Sequence, residues 1–304
     1  MFGRMREAMN TSPSLAAATE LAQGDYEQEL AFDGRSRWYS IHIPAGYDKA
    51  KPAPLVLNFH GGGGNPTQQR HDSCLDETAD RNGFIVVYPA GTGMFPRRLL
   101  TYNGGVCCGY AKNNNIDDVG FTKAVLDDVA RFVSYDAKRV YASGFSNGGF
   151  LCYRLACEMP GPFAAIAVVS AVQGIGFDAH RDGPPVPLMH IHGLLDHNVN
   201  YHGGIGENAM EKTERPSVAE TLQYWLARNR CRKEAFDETR KGAAVCRRFK
   251  PDAGGAPVVL WTMENGGHTW PGGRSTLPES MVGPINQDVS ASELIWDFFK
   301  ERQS

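Results

Sequence analysis

The chain alternates between short, strongly apolar runs and stretches whose apolar residues recur at helical spacing. The runs PLVLNFH (54–60), FIVVYPAG (84–91), RVYASG (139–144), AAIAVVSA (164–171), PLMHIHG (187–193) and VVLWTMENG (258–266) are too short for helices and rich in Val and Ile. They read as parallel strands buried on both faces. Ahead of them, YEQELAFDGRSRWYSIHIP (26–44) alternates polar and apolar residues around Asp33-Gly34, which predicts an antiparallel hairpin at one edge. Helical periodicity fills the intervals. DDVGFTKAVLDDVARFV sets Phe121, Val125, Val129 and Phe132 near one face, with Asp117 or Asp118 placed to cap its start. SVAETLQYWLARN opens on a capping box from Ser217 to Glu220, and ASELIWDFFKER offers Leu294, Ile295, Phe298 and Phe299 for burial. Alternating strands and helices imply an α/β fold, a mainly parallel central sheet with helices on both faces. One domain is expected over residues 26–304, with 1–25 a poorly ordered segment ahead of it.

One strand-to-helix junction carries candidate chemistry. Gly144-Phe145-Ser146-Asn147-Gly148 fits GxSxG, with a strand before it and a helix after it. A serine held in so sharp a turn needs neighbours two residues away that lack side chains, and Gly144 and Gly148 meet that need. Alone, the pattern also fits a packing turn whose serine caps the helix. A hydroxyl becomes a useful nucleophile only beside a base that an acid orients, so the rest of the chain decides. In α/β-hydrolases the order is serine, acid, histidine. Asp196 lies just past the run 187–193, and His268 follows Gly266-Gly267 after the run 258–266. His60, His190 and His192 lie in or at the ends of strands and read as buried, hydrogen-bonded residues; His197 and His202 read as loop residues. Asp117 and Asp118 precede the serine and suit a helix cap instead. For the oxyanion, the backbone N–H of Asn147 supplies one donor, and Gly61 or Gly62 in the glycine-rich turn of NFHGGGGN supplies the second.

Composition narrows the function. Hydrophobic residues at 42% and charged residues at 21% allow a substantial core. A net charge of -3 gives no basic surplus for nucleic acid, and no apolar run is long enough for a membrane span, so neither is an expected partner. No signal peptide is visible in the first 25 residues. The cysteines, at 74, 107, 108, 152, 157, 231 and 246, are numerous for a cytosolic enzyme and lack CxxC spacing, which favours disulfides over a metal.

The segments NFHGGGGN (58–65), NGGVCCGYA (103–111), DDVGF (117–121), YASGFSNGG (141–149), YRLACE (153–158) and GGHTWPGG (266–273) together resemble the poly(3-hydroxybutyrate) depolymerase-like and feruloyl esterase family, related to carbohydrate esterase family 1. The likeness runs from Arg37 to Phe299. It implies an α/β-hydrolase fold, hydrolysis of carboxylic esters by a serine triad, and no metal or organic cofactor. Carried over by motif, the triad is Ser146, Asp196 and His268, the residues already chosen from the strand ends. The resemblance further implies disulfides between Cys231 and Cys246 and between Cys157 and Cys107 or Cys108, leaving Cys74 and Cys152 free and buried. With the cysteine usage, it points to a secreted or periplasmic protein. Phe150-Leu151-Cys152 departs from the small residues and methionine usual after SNGG, which bears on pocket shape.

The short connection from Gln173 to Pro187 leaves no place for a large lid domain. An open cleft suits ester substrates attached to polymers: feruloyl or acetyl groups on plant polysaccharide, or short 3-hydroxybutyrate chains. The loop 90–111 and residues His60, Tyr102 and Trp270 are candidate walls, with Trp270 equally readable as packing; Arg97 and Arg98 read as facing water. The alternatives are a generic short-chain esterase, a peptidase or acyltransferase on the same fold, and a non-catalytic binding module, against which the complete triad argues.

Overall fold

The computed structural model describes residues 13–14, 22–174, 176, 180 and 182–302. Its strands are β1 (Gly24–Phe32), β2 (Arg35–Ile43), β3 (Ala53–Phe59), β4 (Ile85–Pro89), β5 (Tyr135–Phe145), β6 (Ala165–Val169), β7 (Leu188–Gly193), β8 (Cys231–Lys241), β9 (Ala244–Pro251) and β10 (Val258–Met263). Its helices are α1 (Pro66–Ser73), α2 (Leu75–Asn82), α3 (Gly109–Asn113), α4 (Asp118–Val129), α5 (Asn147–Glu158), α6 (Val218–Arg228), α7 (Glu279–Val282) and α8 (Ala291–Phe299).

The strands form one sheet in the order β1-β2-β4-β3-β5-β6-β7-β10-β9-β8. The apolar runs supply its parallel centre, from β4 through β10, and the edges are antiparallel hairpins. Helices cover both faces, as the alternation predicts. Phe121 and Val125 of α4, Leu151 of α5 and Trp225 of α6 pack into one apolar layer. Leu75 of α2 and Ile295 and Phe299 of α8 pack into the other. Pairing of Phe59 with Gly144, Phe145 with Val169 and Gly193 with Met263 brings the carboxyl ends of β3, β5, β7 and β10 to one edge. In open α/β sheets that edge is where ligands bind.

The hairpin β8–β9 is one element that periodicity misses, as are the short helices α1, α2, α3 and α7. Most of its side chains are exposed, so no apolar alternation marks it. Cross-strand pairs hold it instead, with Arg247 on Glu238 and Lys250 on Asp237, each at 2.8 Å. Its register also corrects the disulfide expectation. Cys246 pairs with Thr239, whereas Cys231 faces Pro251, five residues further along β9 and about 17 Å away by strand rise. Both cysteines are free.

Cys157 is free as well. Cys107 lies at the start of α5, where its sulfur is 3.9 Å from Asn147 Nδ2, while Cys157 lies ten residues on, about 15 Å along the helix axis. The sulfurs of Cys107 and Cys108 face each other instead. Cys152 is free and buried as expected, and Cys74 is free but half-buried. The segment 1–25 falls largely outside the described residues, although Pro13 O accepts from Glu27 N at 3.0 Å beside β1.

A buried ion pair ties the edge hairpin to the centre. Arg37 of β2 donates through Nη2 to Asp118 Oδ1 at 2.7 Å and to Ala90 O at 2.8 Å, and its guanidinium lies 3.7 Å from the Phe121 ring centroid. Asp118 Oδ2 accepts from Asn103 N at 2.7 Å, while the neighbouring Asp117 caps α4 by accepting from Gly120 N. Removing one partner leaves a buried charge uncompensated. Arg37→Ala is predicted to lower unfolding free energy by about 3–5 kcal/mol, and the Arg37→Ala/Asp118→Ala double variant by less than the sum of the singles. Urea unfolding tests this; strict additivity would contradict it.

Candidate active site

At the end of β5 the chain turns through Ser146 with φ 50° and ψ -116°, a left-handed conformation that a side chain disfavours. The turn survives because β5 and α5 approach closely. A Cβ on Gly144 would run into the Gly148 carbonyl, and one on Gly148 into the Phe59 carbonyl. Ser146 N donates to Val169 O at 2.8 Å, which anchors the turn to β6.

Loops beyond β7 and β10 bring the expected acid and base to this serine. His268 Nδ1 lies 2.8 Å from Asp196 Oδ2, and Nε2 lies 2.8 Å from Ser146 Oγ. A carboxylate only accepts, so Nδ1 carries the proton, Nε2 is the acceptor, and the serine hydroxyl donates to it. Asp196 Oδ1 accepts from Asn198 N at 2.9 Å and Val199 N at 2.8 Å. Burial alone would raise the Asp196 pKa, but the electrostatic pull of the His268 N–H side and hydrogen bonds from His192 and His268 outweigh it and hold the carboxyl well below the usual range.

Behind Asp196 runs a buried chain of hydrogen bonds that sequence reasoning did not connect to it. His192 Nε2 lies 2.7 Å from Val199 O and 3.3 Å from Asp196 Oδ2. His192 Nδ1 is 3.2 Å from His190 Nε2, and His190 Nδ1 is 2.5 Å from Tyr153 OH. Nε2 of His192 must donate to the carbonyl; with both rings neutral, Nδ1 then accepts from His190 Nε2–H, and His190 Nδ1 accepts from Tyr153 O–H. Burial, with His192 alongside, holds His190 well below the usual histidine range, which fits a neutral His190 in this chain. The available signal was the HxH spacing in β7, which sets both rings on one strand face four and six residues ahead of Asp196.

Among the described residues, the backbone amides of Asn147, Gly61 and Gly62 donate to no recorded acceptor. A Cβ placed on Gly61 would lie 3.6 Å from Ser146 Cβ, and one on Gly62 would lie 3.5 Å from Asn147 Cβ. Gly63 N is already committed to Leu100 O, and Gly64 N to Gly61 O. The Asn147 side chain clamps Tyr102, accepting from its N at 2.7 Å and donating to its O at 2.9 Å.

His60 braces the glycine loop. Its Nδ1–H donates to Gly61 O at 2.7 Å and its Nε2 accepts from Gly91 N at 3.0 Å, an arrangement only the neutral ring makes. Burial lowers its pKa to about 4. It is only 1% exposed, yet it lies in the lining of the cleft over Ser146, where it was expected. Two of the expected substrate contacts, Tyr102 and Trp270, lie outside that lining. Tyr102 is buried with its hydroxyl on Pro89 O, and Trp270 is buried with Nε1 on Ser292 Oγ; each packs where an apolar ring has a polar tip to satisfy. Arg97 lies away from the cleft, paired with Glu27 at 2.9 Å and stacked on Trp38.

The cleft over Ser146 has a volume of about 410 Å³. Phe145, Phe150, Val199 and Met210 give it an apolar lining, and Thr101, Cys107, Cys108 and Gly109 bring in the 90–111 loop. Arg215, also on its wall, was not anticipated.

Comparisons agree with this picture. Residues 37–199 match the family model described as Esterase PHB depolymerase. The chain is similar to "Putative esterase NocK" of Nocardia uniformis subsp. tsuyamanensis, 30% identical over 296 residues that cover 89% of this chain and 81% of that protein. It is 28% identical over 233 residues to feruloyl esterase B of Piromyces equi, covering 75% of this chain but only 42% of that relative's length. The acetyl xylan esterase from Aspergillus awamori shares the fold, with a TM-score of 0.57 at 14% identity over 90% of this chain and 98% of that one.

The chain behind Asp196 predicts a measurable effect. A hydrogen bond to a charged group is worth about 1.5–3 kcal/mol, so His192→Phe should lower kcat by roughly tenfold to a hundredfold with little change in KM. A carboxylate that has lost a donor holds the His268 N–H more strongly, so the acid limb of the kcat/KM profile should move to higher pH. His192→Gln, which keeps a donor, should restore part of both. Unchanged kcat and profile in the Phe variant would contradict the role.

Proposed function

We propose that this chain, which belongs to the Esterase PHB depolymerase family and is a carboxylic ester hydrolase, works through an acyl-serine intermediate. The observation that carries the reading is the series Ser146–His268–Asp196, each link at 2.8 Å, beside three unpaired amides.

His268 Nε2 takes the proton from Ser146 Oγ as Oγ bonds to the ester carbonyl carbon. The carbonyl oxygen becomes an oxyanion and rests on the N–H of Asn147 and of Gly61 or Gly62. These amides are fixed before substrate arrives, so little reorganisation accompanies charge development. Asp196 keeps the imidazole in the right tautomer and offsets the charge it gains. Collapse breaks the bond to the alcohol oxygen, which leaves with the proton from His268. Water then attacks the acyl-serine, passing a proton to the same nitrogen, and the carboxylic acid is released as Ser146 regains its hydroxyl. The residues 26–304 act as one catalytic domain in this reading.

The substrates that fit are feruloyl or acetyl esters of polysaccharide, or short 3-hydroxybutyrate chains. An apolar cleft of about 410 Å³, rimmed by the exposed Met210, Leu277 and Met281, supports an aryl or short acyl group presented on a larger molecule. A panel of methyl ferulate, acetylated xylan, 3-hydroxybutyrate oligomers and p-nitrophenyl acetate tests this. Turnover of p-nitrophenyl acetate alone would reduce the reading to a generic short-chain esterase.

Ser146→Ala should lower kcat by about 10⁴-fold or more on any substrate of the panel. Wild-type kcat/KM should rise with pH and level off, because only the neutral imidazole accepts the serine proton. A Ser146→Ala protein with wild-type turnover, or a rate that falls as pH rises through neutrality, would contradict the mechanism.

A further inference from the structure

The cleft contains a cation that the proposed reaction does not use. Arg215 lies between the loop of Asp196 and α6, its backbone exchanging hydrogen bonds with Gly204 at 2.9 and 3.2 Å. Its side chain forms part of the cleft wall and the residue is only 9% exposed. A guanidinium offers five N–H donors, and here they are poorly used. Nη1 is 3.4 Å from Asn198 O, Nη2 is 3.9 Å from Cys107 Sγ, and Nε has no partner. No carboxylate among the described residues forms an ion pair with it. Glu211, in the same wall, is engaged by Lys112 Nζ at 2.8 Å. Burial pushes the Arg215 pKa down, and the charges of Glu211 and Asp196, which favour the cation, offset that only in part.

The position is close to the chemistry. Cys107 Sγ, which touches Arg215, is also 3.9 Å from Asn147 Nδ2, and the guanidinium carbon sits 5.1 Å from the ring centroid of Phe150 in the first turn of α5. One cysteine side chain therefore separates the cation from the residue next to the nucleophile. Two buried acceptors in the same wall, Asn198 Oδ1 and Glu211 Oε2, also lack partners. A buried polar atom without a partner is costly, and three in one cleft are satisfied together by a ligand that brings an anion and hydroxyl donors.

We propose that Arg215 is a specificity residue that receives a carboxylate carried by the ester substrate a few bonds from the scissile carbonyl, with Asn198 Oδ1 and Glu211 Oε2 accepting from hydroxyls beside it. The favoured substrates are then esters of hydroxy-acid or sugar-acid type. The planar fork of arginine matches a carboxylate in two parallel hydrogen bonds, which selects the anion by shape as well as charge. This rests on the serine esterase reading, and the test separates the two.

The wild-type protein is assayed on two matched pairs at one pH and salt concentration: p-nitrophenyl hydrogen glutarate against p-nitrophenyl pentanoate, and 3-acetoxybutanoate against 3-acetoxybutanamide. The first pair carries the charge on the acyl side, the second on the alcohol side. In at least one pair the charged ester should show kcat/KM roughly tenfold or more above its neutral partner, as expected for a charge-assisted pair. Arg215→Gln should reduce that ratio at least tenfold, and Arg215→Lys should reduce it less; the lysine variant carries this arm if the glutamine variant does not fold. Neutral esters turned over with no preference for charge in either pair would overturn the proposal and leave the esterase reading standing. A preference that survives in folded Arg215→Gln would overturn it too. No turnover of any of the four esters would defeat both.

Discussion

The site depends on one buried carboxylate. Asp196 is 2% exposed, and an ion so placed persists only if its lone pairs are met. Two backbone amides of its own loop meet Oδ1, and His268 and His192 meet Oδ2. Each of those donors is thereby fixed in place. His268 is left with Nε2 as a free acceptor aimed at Ser146, and His192 hands the constraint on through His190 to Tyr153 of α5. Since α5 begins at Asn147, the helix that follows Ser146 is tied to Asp196 from behind. The geometry of the site is thus a consequence of satisfying a single charge in a place with little water.

The sheet makes that possible by aligning strand ends. Parallel pairing brings the carboxyl ends of β5, β7 and β10 to one edge, so Ser146, Asp196 and His268 arrive there, each within a few residues of its strand's end. The glycine loop after β3 arrives at the same edge because β3 is hydrogen-bonded to β5, and His60 holds it there in its neutral form. Strain at Ser146 is sustained by the tight β5–α5 junction, where Gly144 and Gly148 leave no room for a Cβ. Packing, hydrogen bonding and backbone geometry converge on the same few atoms.

Much of this was legible in the chain. Parallel strands buried on both faces advertise themselves as unbroken Val- and Ile-rich runs, and the residues just past their ends were the natural places for an acid and a base. What was not legible depended on register and on contacts between distant segments. Strand β8 is exposed along nearly its whole length and carries no apolar pattern, and the offset of β8 and β9, invisible in the spacing of Cys231 and Cys246, keeps those thiols apart. Trp270 and Tyr102 had the size of substrate walls, but only the fold reveals that each points its polar tip at a partner inside the core. Arg215 stands in a stretch without periodicity, and nothing local distinguishes it from a surface arginine until the cleft closes around it.

The central claim is that Ser146 is the activated nucleophile. Brief exposure of the folded protein to diethyl p-nitrophenyl phosphate, followed by intact mass and peptide mapping, measures this directly. The account predicts one diethylphosphoryl group per chain, on Ser146, with esterase activity lost in proportion to labelling. Full inactivation with the label on another residue, or stoichiometric labelling of Ser146 that leaves activity intact, would contradict it.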